Sequence, residues 1–142
     1  MATILLRVPV DAEPKSAYEN LTTSEGVTGW WSNRTEGPDG VGSTMKIAFP
    51  DAPITFDFEV AEESPGERVE WRCLAGPPEW IGTTVTFDIQ SGDDGNTSVL
   101  FGHGGWATTE DSFPFIAYSW AQILARFKKL TDSGTREPFF DF

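Results

Sequence analysis

Six stretches of the chain alternate apolar and polar residues with the two-residue period of a β-strand. Ile4, Leu6, Val8 and Val10 alternate with Leu5, Arg7 and Pro9, and Met45, Ile47 and Phe49 with Thr44, Lys46 and Ala48. Ile54, Phe56, Phe58 and Val60 form the third set, and Val69, Trp71 and Cys73 the fourth. Ile81, Thr83, Val85, Phe87 and Ile89 follow, then Val99, Phe101 and His103. Each set turns one face to a core and the other to water. The breaks between them are turn chemistry: Pro50–Pro53, Glu63–Gly66, Gly76–Pro78 and Ser91–Asn96. Connections this short join antiparallel neighbours, because parallel strands need a long crossover.

The period changes in two places. Pro14–Leu21 and Ser24–Gly29 predict two short helices after the first strand. Near Ser112–Thr131, Phe113, Ile116, Trp120, Ile123, Phe127 and Leu130 recur every three or four residues, with Ala117 and Leu124 widening the stripe. Pro114 fits a first helical turn and Gly134 a helix stop. The expected fold class is α+β: a curved antiparallel sheet of six to seven strands wrapped around one long C-terminal helix. That helix alone has enough apolar surface to cover the inner face. No linker divides the chain, so residues 1–142 read as a single domain with 133–142 as a C-terminal tail.

The order of pieces resembles the START, polyketide-cyclase and pollen-allergen superfamily, whose shape is called the helix-grip fold. It is most similar to the branch related to the activator of the heat-shock-protein-90 ATPase. The residues that carry the likeness are Ala17–Thr23 ahead of Gly29-Trp30-Trp31, Pro65–Trp71, Gly82–Phe87, Thr97–Trp106, and Trp120 with Gly134 after it. The resemblance implies the helix-grip fold, and for function a bound hydrophobic molecule, a chemical step, or a co-chaperone-like role with a chaperone partner in a stress response. It brings no shared catalytic set. Phe139, Phe140 and Phe142 in the tail depart from the branch pattern.

Charge narrows the function classes. With 22 acidic and 10 basic residues the net charge is −12, which repels phosphate backbones. Arg126, Lys128 and Lys129 are the only basic cluster, at the helix end where cations favour the dipole. Nucleic-acid binding is not expected. No apolar run reaches the roughly 20 residues of a membrane helix, and the N-terminal run is too short for a signal peptide, so the expected location is cytoplasmic.

One histidine and one cysteine give no metal-ligand spacing, and no metal or cofactor is expected. Gly102–Ala107 matches G-x-G-x-x-A, but a dinucleotide site needs a parallel βαβ unit, so these glycines are read as a tight turn into the helix. No catalytic constellation is recognisable. His103 has inward parity and is either a ligand-orienting or acid–base group, or a strand-end histidine bonded to backbone. Cys73 is either a thiol beside it or a small core residue. Glu79 shares the parity of Ile81, at a cavity rim or in solvent.

Large aromatics converge on the predicted interior, which predicts a lined hollow between sheet and helix. The expected ligand-binding residues are Trp31, Phe56, Phe58, Trp71, Cys73, Phe87, Phe101, His103, Ile116 and Trp120, with Trp N–H groups, Thr83, Tyr118 and Ser119 as polar edges. Three functions stay open. The first is binding of a small apolar molecule, a lipid or aromatic metabolite. The second is a protein-interaction module or homodimer using Trp30-Trp31 and the Phe-rich tail. The third is a cyclase or hydrolase using His103 with Glu79 or Cys73.

Overall fold

A computed structural model describes residues 1–92 and 94–142; Asp93, in the Ser91–Asn96 turn, lies outside the described residues. Strand β1 (Ala2–Val10) leads into helices α1 (Pro14–Thr22) and α2 (Ser24–Trp30). Strands β2 (Thr35–Glu36), β3 (Thr44–Ile47), β4 (Phe56–Ser64), β5 (Arg68–Ala75), β6 (Thr84–Ser91) and β7 (Thr97–Trp106) follow, and helix α3 (Phe113–Ser133) comes last. The seven strands form one antiparallel sheet in the order β1-β7-β6-β5-β4-β3-β2. Chain neighbours pair throughout, except that β1 closes against β7.

Helix α3 keeps the predicted stripe: Trp120, Ile123, Leu124, Phe127 and Leu130 are buried, with Phe113, Ile116 and Ala117 packed on the margin. Pro114 sits in the first turn, and Gly134 ends the helix at φ 75°, a left-handed conformation with no Cβ to strain it. Its N–H donates to the Leu130 carbonyl at 2.8 Å.

The two borders of the sheet differ. β2 is only two residues long. Along β1, the Lys128 ammonium donates to the Pro9 carbonyl at 2.6 Å, and the Asp11 N–H donates to Asp132 Oδ1 at 2.7 Å. Both contacts come from the last turns of α3.

Three expectations need correction. Ile54 lies before β4 and is exposed. Ile81 is 54% exposed, and Trp80 takes the interior position instead. A turn explains the exchange: the Trp80 N–H bonds to Pro77 O, and the Thr83 N–H to Trp80 O, so regular alternation resumes only at β6. Gly102 and Gly104 belong to β7, not to a turn into the helix. A Cβ on Gly102 would meet Thr86 Oγ1 at 2.8 Å, and one on Gly104 would meet Thr3 Oγ1 at 3.0 Å. Their missing side chains make room for threonines on the neighbouring strands.

Candidate functional site

The centre of the molecule is filled. Trp31 touches Trp71 (ring centroids 6.1 Å apart), Trp71 touches Phe87 (5.0 Å), and Phe87 touches Phe101 (5.4 Å). Phe101 touches Trp120 (4.6 Å), and Trp120 returns to Trp31 (4.9 Å). These five rings close a circuit between the sheet and α3. Phe58 packs on it from β4, 5.8 Å from Trp31. Such spacings are those of aromatic pairs in direct contact. The hollow expected among them is therefore not there, and Phe58, Trp71, Cys73, Phe87 and Phe101 are wholly buried in solid core.

His103 is wholly buried and bonded at both ring nitrogens. Trp120 Nε1–H donates to His103 Nδ1 at 3.0 Å, which leaves the ring proton on Nε2. Nε2–H then donates to Thr83 Oγ1 at 2.8 Å, and the Thr83 hydroxyl donates to Trp80 O at 2.6 Å. This relay ties β7 and α3 to the turn that precedes β6 through one neutral imidazole. Burial pushes its pKa down to about 3. In this arrangement both ring nitrogens are committed to protein partners, so neither faces a substrate.

The partners considered for an enzymatic reading are also misplaced. The Cys73 thiol is buried and bonded to Ala75 O, and burial pushes its pKa up to about 11, so it is not a thiolate at neutral pH. Glu79 is exposed and accepts from Ser112 Oγ at 3.3 Å. Among the described residues no group of three metal-ligating side chains occurs. The indole N–H groups of Trp31, Trp71 and Trp106 are buried without a protein partner, whereas Trp30 Nε1 donates to Asn20 O at 2.9 Å.

A cavity of about 340 Å³ lies to one side of the filled centre, at the N-terminal half of α3. Trp31 and Trp120 form its floor, where the aromatic circuit ends. One wall is α3, with Phe115, Ile116, Ser119 and Ile123. The opposite wall is Phe56 of β4, Trp80 and the turn Phe49–Ala52. That turn is held by the Ala52 N–H on Phe49 O at 3.3 Å. Phe115, 66% exposed, stands at the mouth.

The tail completes the enclosure. The Phe139 N–H donates to Trp30 O at 3.0 Å, the Phe140 N–H to Trp31 O at 2.9 Å, and the Asn33 N–H to Phe140 O at 3.0 Å. These bonds lay the Phe140 ring 4.9 Å from Phe49, on the cavity's margin. The Arg34 guanidinium sits 4.4 Å over Phe142 and also donates to its carbonyl. The tail aromatics are thus engaged by their own chain, although Phe142 keeps an exposed face.

Of the ten expected ligand-binding residues, the structure brings Trp31, Phe56, Ile116 and Trp120 to the cavity, joined by Ser119 from the expected polar edges. The other six do not line it. Sequence reasoning missed Trp80, Phe49, Phe140 and Phe115 as lining residues. Trp80 was hidden by the turn that breaks parity. Phe140 had one signal, an apolar triplet after a helix stop with no assigned place.

The model of the family described as Activator of Hsp90 ATPase homolog 1-like protein matches residues 11–132. Among solved structures, the Aha1 dimer of Colwellia psychrerythraea is 33% identical, with a TM-score of 0.84 over 94% of this chain and 98% of that one. Protein MLL2253 of Mesorhizobium loti is 18% identical (TM-score 0.78, covering 91% and 96% of the two chains). Protein SSP2350 of Staphylococcus saprophyticus is 13% identical (0.77, 96% and 96%). No curated protein matches the chain. The last two likenesses concern fold alone. With a family model spanning most of its length and a relative one-third identical over nearly all of it, the chain belongs to the Activator of Hsp90 ATPase homolog 1-like family and has its helix-grip fold.

Proposed function

We propose that the protein binds a small, largely apolar molecule in the cavity beside α3. The observation that carries this reading is the lining: seven aromatic residues and two isoleucines surround about 340 Å³, beside a centre filled by packed rings. That volume is at the small end of ligand sites, and apolar walls with few polar groups are their usual character. Binding energy would come from burial, at about 25 cal/mol per Å² of apolar surface, with little reorganisation because the walls rest on a packed core. Orientation would come from Ser119 and Asp51, not from His103.

Indole N–H resonances of Trp31, Trp80 and Trp120, whose side chains line the cavity, should shift on titration with naphthalene or decanol, and more than that of Trp30, which lies one ring behind Trp31. Ile116→Trp fills the space from the half-buried helix margin and should weaken binding at least about tenfold, with little change in unfolding midpoint. A ligand that binds equally well to this variant would refute the site.

A second reading, self-association, is favoured by Phe115 and Tyr118. They are 66% and 65% exposed and lie three residues apart, hence on one face of α3. The relative from Colwellia psychrerythraea is described as a dimer. Light scattering should report a dimer that Phe115→Glu returns to monomer. A monomeric parent chain at all concentrations would remove this reading.

A further inference from the structure

Resting on the cavity as the binding site, we infer that its ligand carries a positive charge: an apolar body with an amine or quaternary-ammonium head. The polar side chains among the lining residues are few, and of these Asp51 is the one that ionises. No lysine or arginine lines the cavity. Asp51 sits in the turn Phe49–Ala52, exposed at the rim, where a head group emerging from an apolar slot would meet it.

The walls act in the same sense. An aromatic ring carries negative potential over its faces, so a cage of Trp31, Phe49, Phe56, Trp80 and Phe140 accepts a weakly hydrated cation at little desolvation cost and offers an anion nothing. The net charge of −12 adds a long-range term that concentrates cations and repels anions near the surface. The neighbouring cation Lys46 is committed to Asp57 at 2.9 Å, and Arg34 to the Phe142 ring and carbonyl. Neither is placed among the lining groups to receive a carboxylate. Fatty acids, which an apolar cavity would otherwise admit, are therefore selected against by their head group.

Three probes that share one tail separate this inference from the reading beneath it: decyltrimethylammonium, decanol and decanoate, each below its micellar concentration. Titration calorimetry at low salt should rank them in that order, with the cation at least about tenfold tighter than the carboxylate. The gap should narrow as salt screens the charge. Asp51→Asn, on an exposed turn, should weaken the cation about two- to fivefold relative to decanol. Decanoate binding as tightly as the cation, or an Asp51→Asn variant that affects neither, overturns the charge preference while leaving the cavity as a binding site. Failure of all three probes to bind removes the site and the preference together.

Discussion

Acidification from pH 7 to pH 5 should remove about 2 kcal/mol of stability through His103 alone, a loss that the His103→Gln variant should not share. His103 is the only histidine in the chain, and its pKa falls from 6.5 to about 3 on folding because burial disfavours the charged ring. Below pH 6.5 the unfolded chain takes up a proton that the folded chain refuses until about pH 3. The stability contribution is therefore complete above pH 6.5 and is lost as pH falls across that window, at about 1.4 kcal/mol per pH unit. By pH 3 the loss would reach roughly 4 to 5 kcal/mol. Two effects run the other way. Protonation relieves the self-repulsion of a chain at −12, and burial holds the Glu63 carboxyl above its usual range, so its protonation favours the folded state. The diagnostic is consequently the difference in slope between parent and variant in urea titrations. Glutamine retains hydrogen-bonding groups without a titrating one, so it should cost about 1 to 3 kcal/mol at pH 7 and then run flatter below it. Parallel curves would show that the relay through Trp120, His103 and Thr83 does not hold a neutral ring.

Gly26→Ala should be the more destructive change in the helical hairpin, at about 3 kcal/mol or more, although alanine is the better helix former by about 1 kcal/mol. Gly26 lies inside α2, where a Cβ would stand 2.5 Å from Asn20 Cα and 2.6 Å from Asn20 O. These are backbone atoms of the preceding helix and cannot rotate away. The same Asn20 carbonyl receives the Trp30 indole, so separating α1 from α2 would also disturb the residues that open onto the aromatic floor. Gly29→Ala is the control: there the nearest atoms are the ends of Arg136 and Leu130 side chains, which can swing aside. Guanidinium denaturation of the pair should give a much smaller loss for Gly29→Ala. A neutral or stabilising Gly26→Ala would contradict the close helix crossing.

Periodicity made most of the fold legible. Strands β1, β5 and β7 and the stripe of α3 lie where alternation and three-to-four spacing place them, because each is packed on one face and wet on the other. Alternation failed where a turn reset it, at Ile54 and between Trp80 and Thr83. It also passed over β2, whose two residues are too few to show a period.

The candidate site was less legible, for a different reason. Inward parity identifies a side chain that faces the core, but not whether the core around it is full. Trp71, Phe87 and Phe101 point inward as expected and meet one another, whereas Trp31 and Trp120 also border an opening. The difference lies in what stands opposite each ring. Opposite the opening stand a turn and a chain end, Phe49–Ala52 and Phe140, the segments whose course a hydrophobic pattern describes least.

The unequal borders of the sheet bear on behaviour at high concentration. An open β-margin is a template on which foreign or identical chains can continue a backbone ladder, and aggregation often begins there. Here one margin is too brief to hold a visiting strand. The other, β1, is nine residues long and is blunted at its C-terminal end, where Pro9 has no N–H to give and its carbonyl is already claimed by Lys128. Any ladder continued by a second chain must therefore add along the first part of β1 and stop short of Pro9.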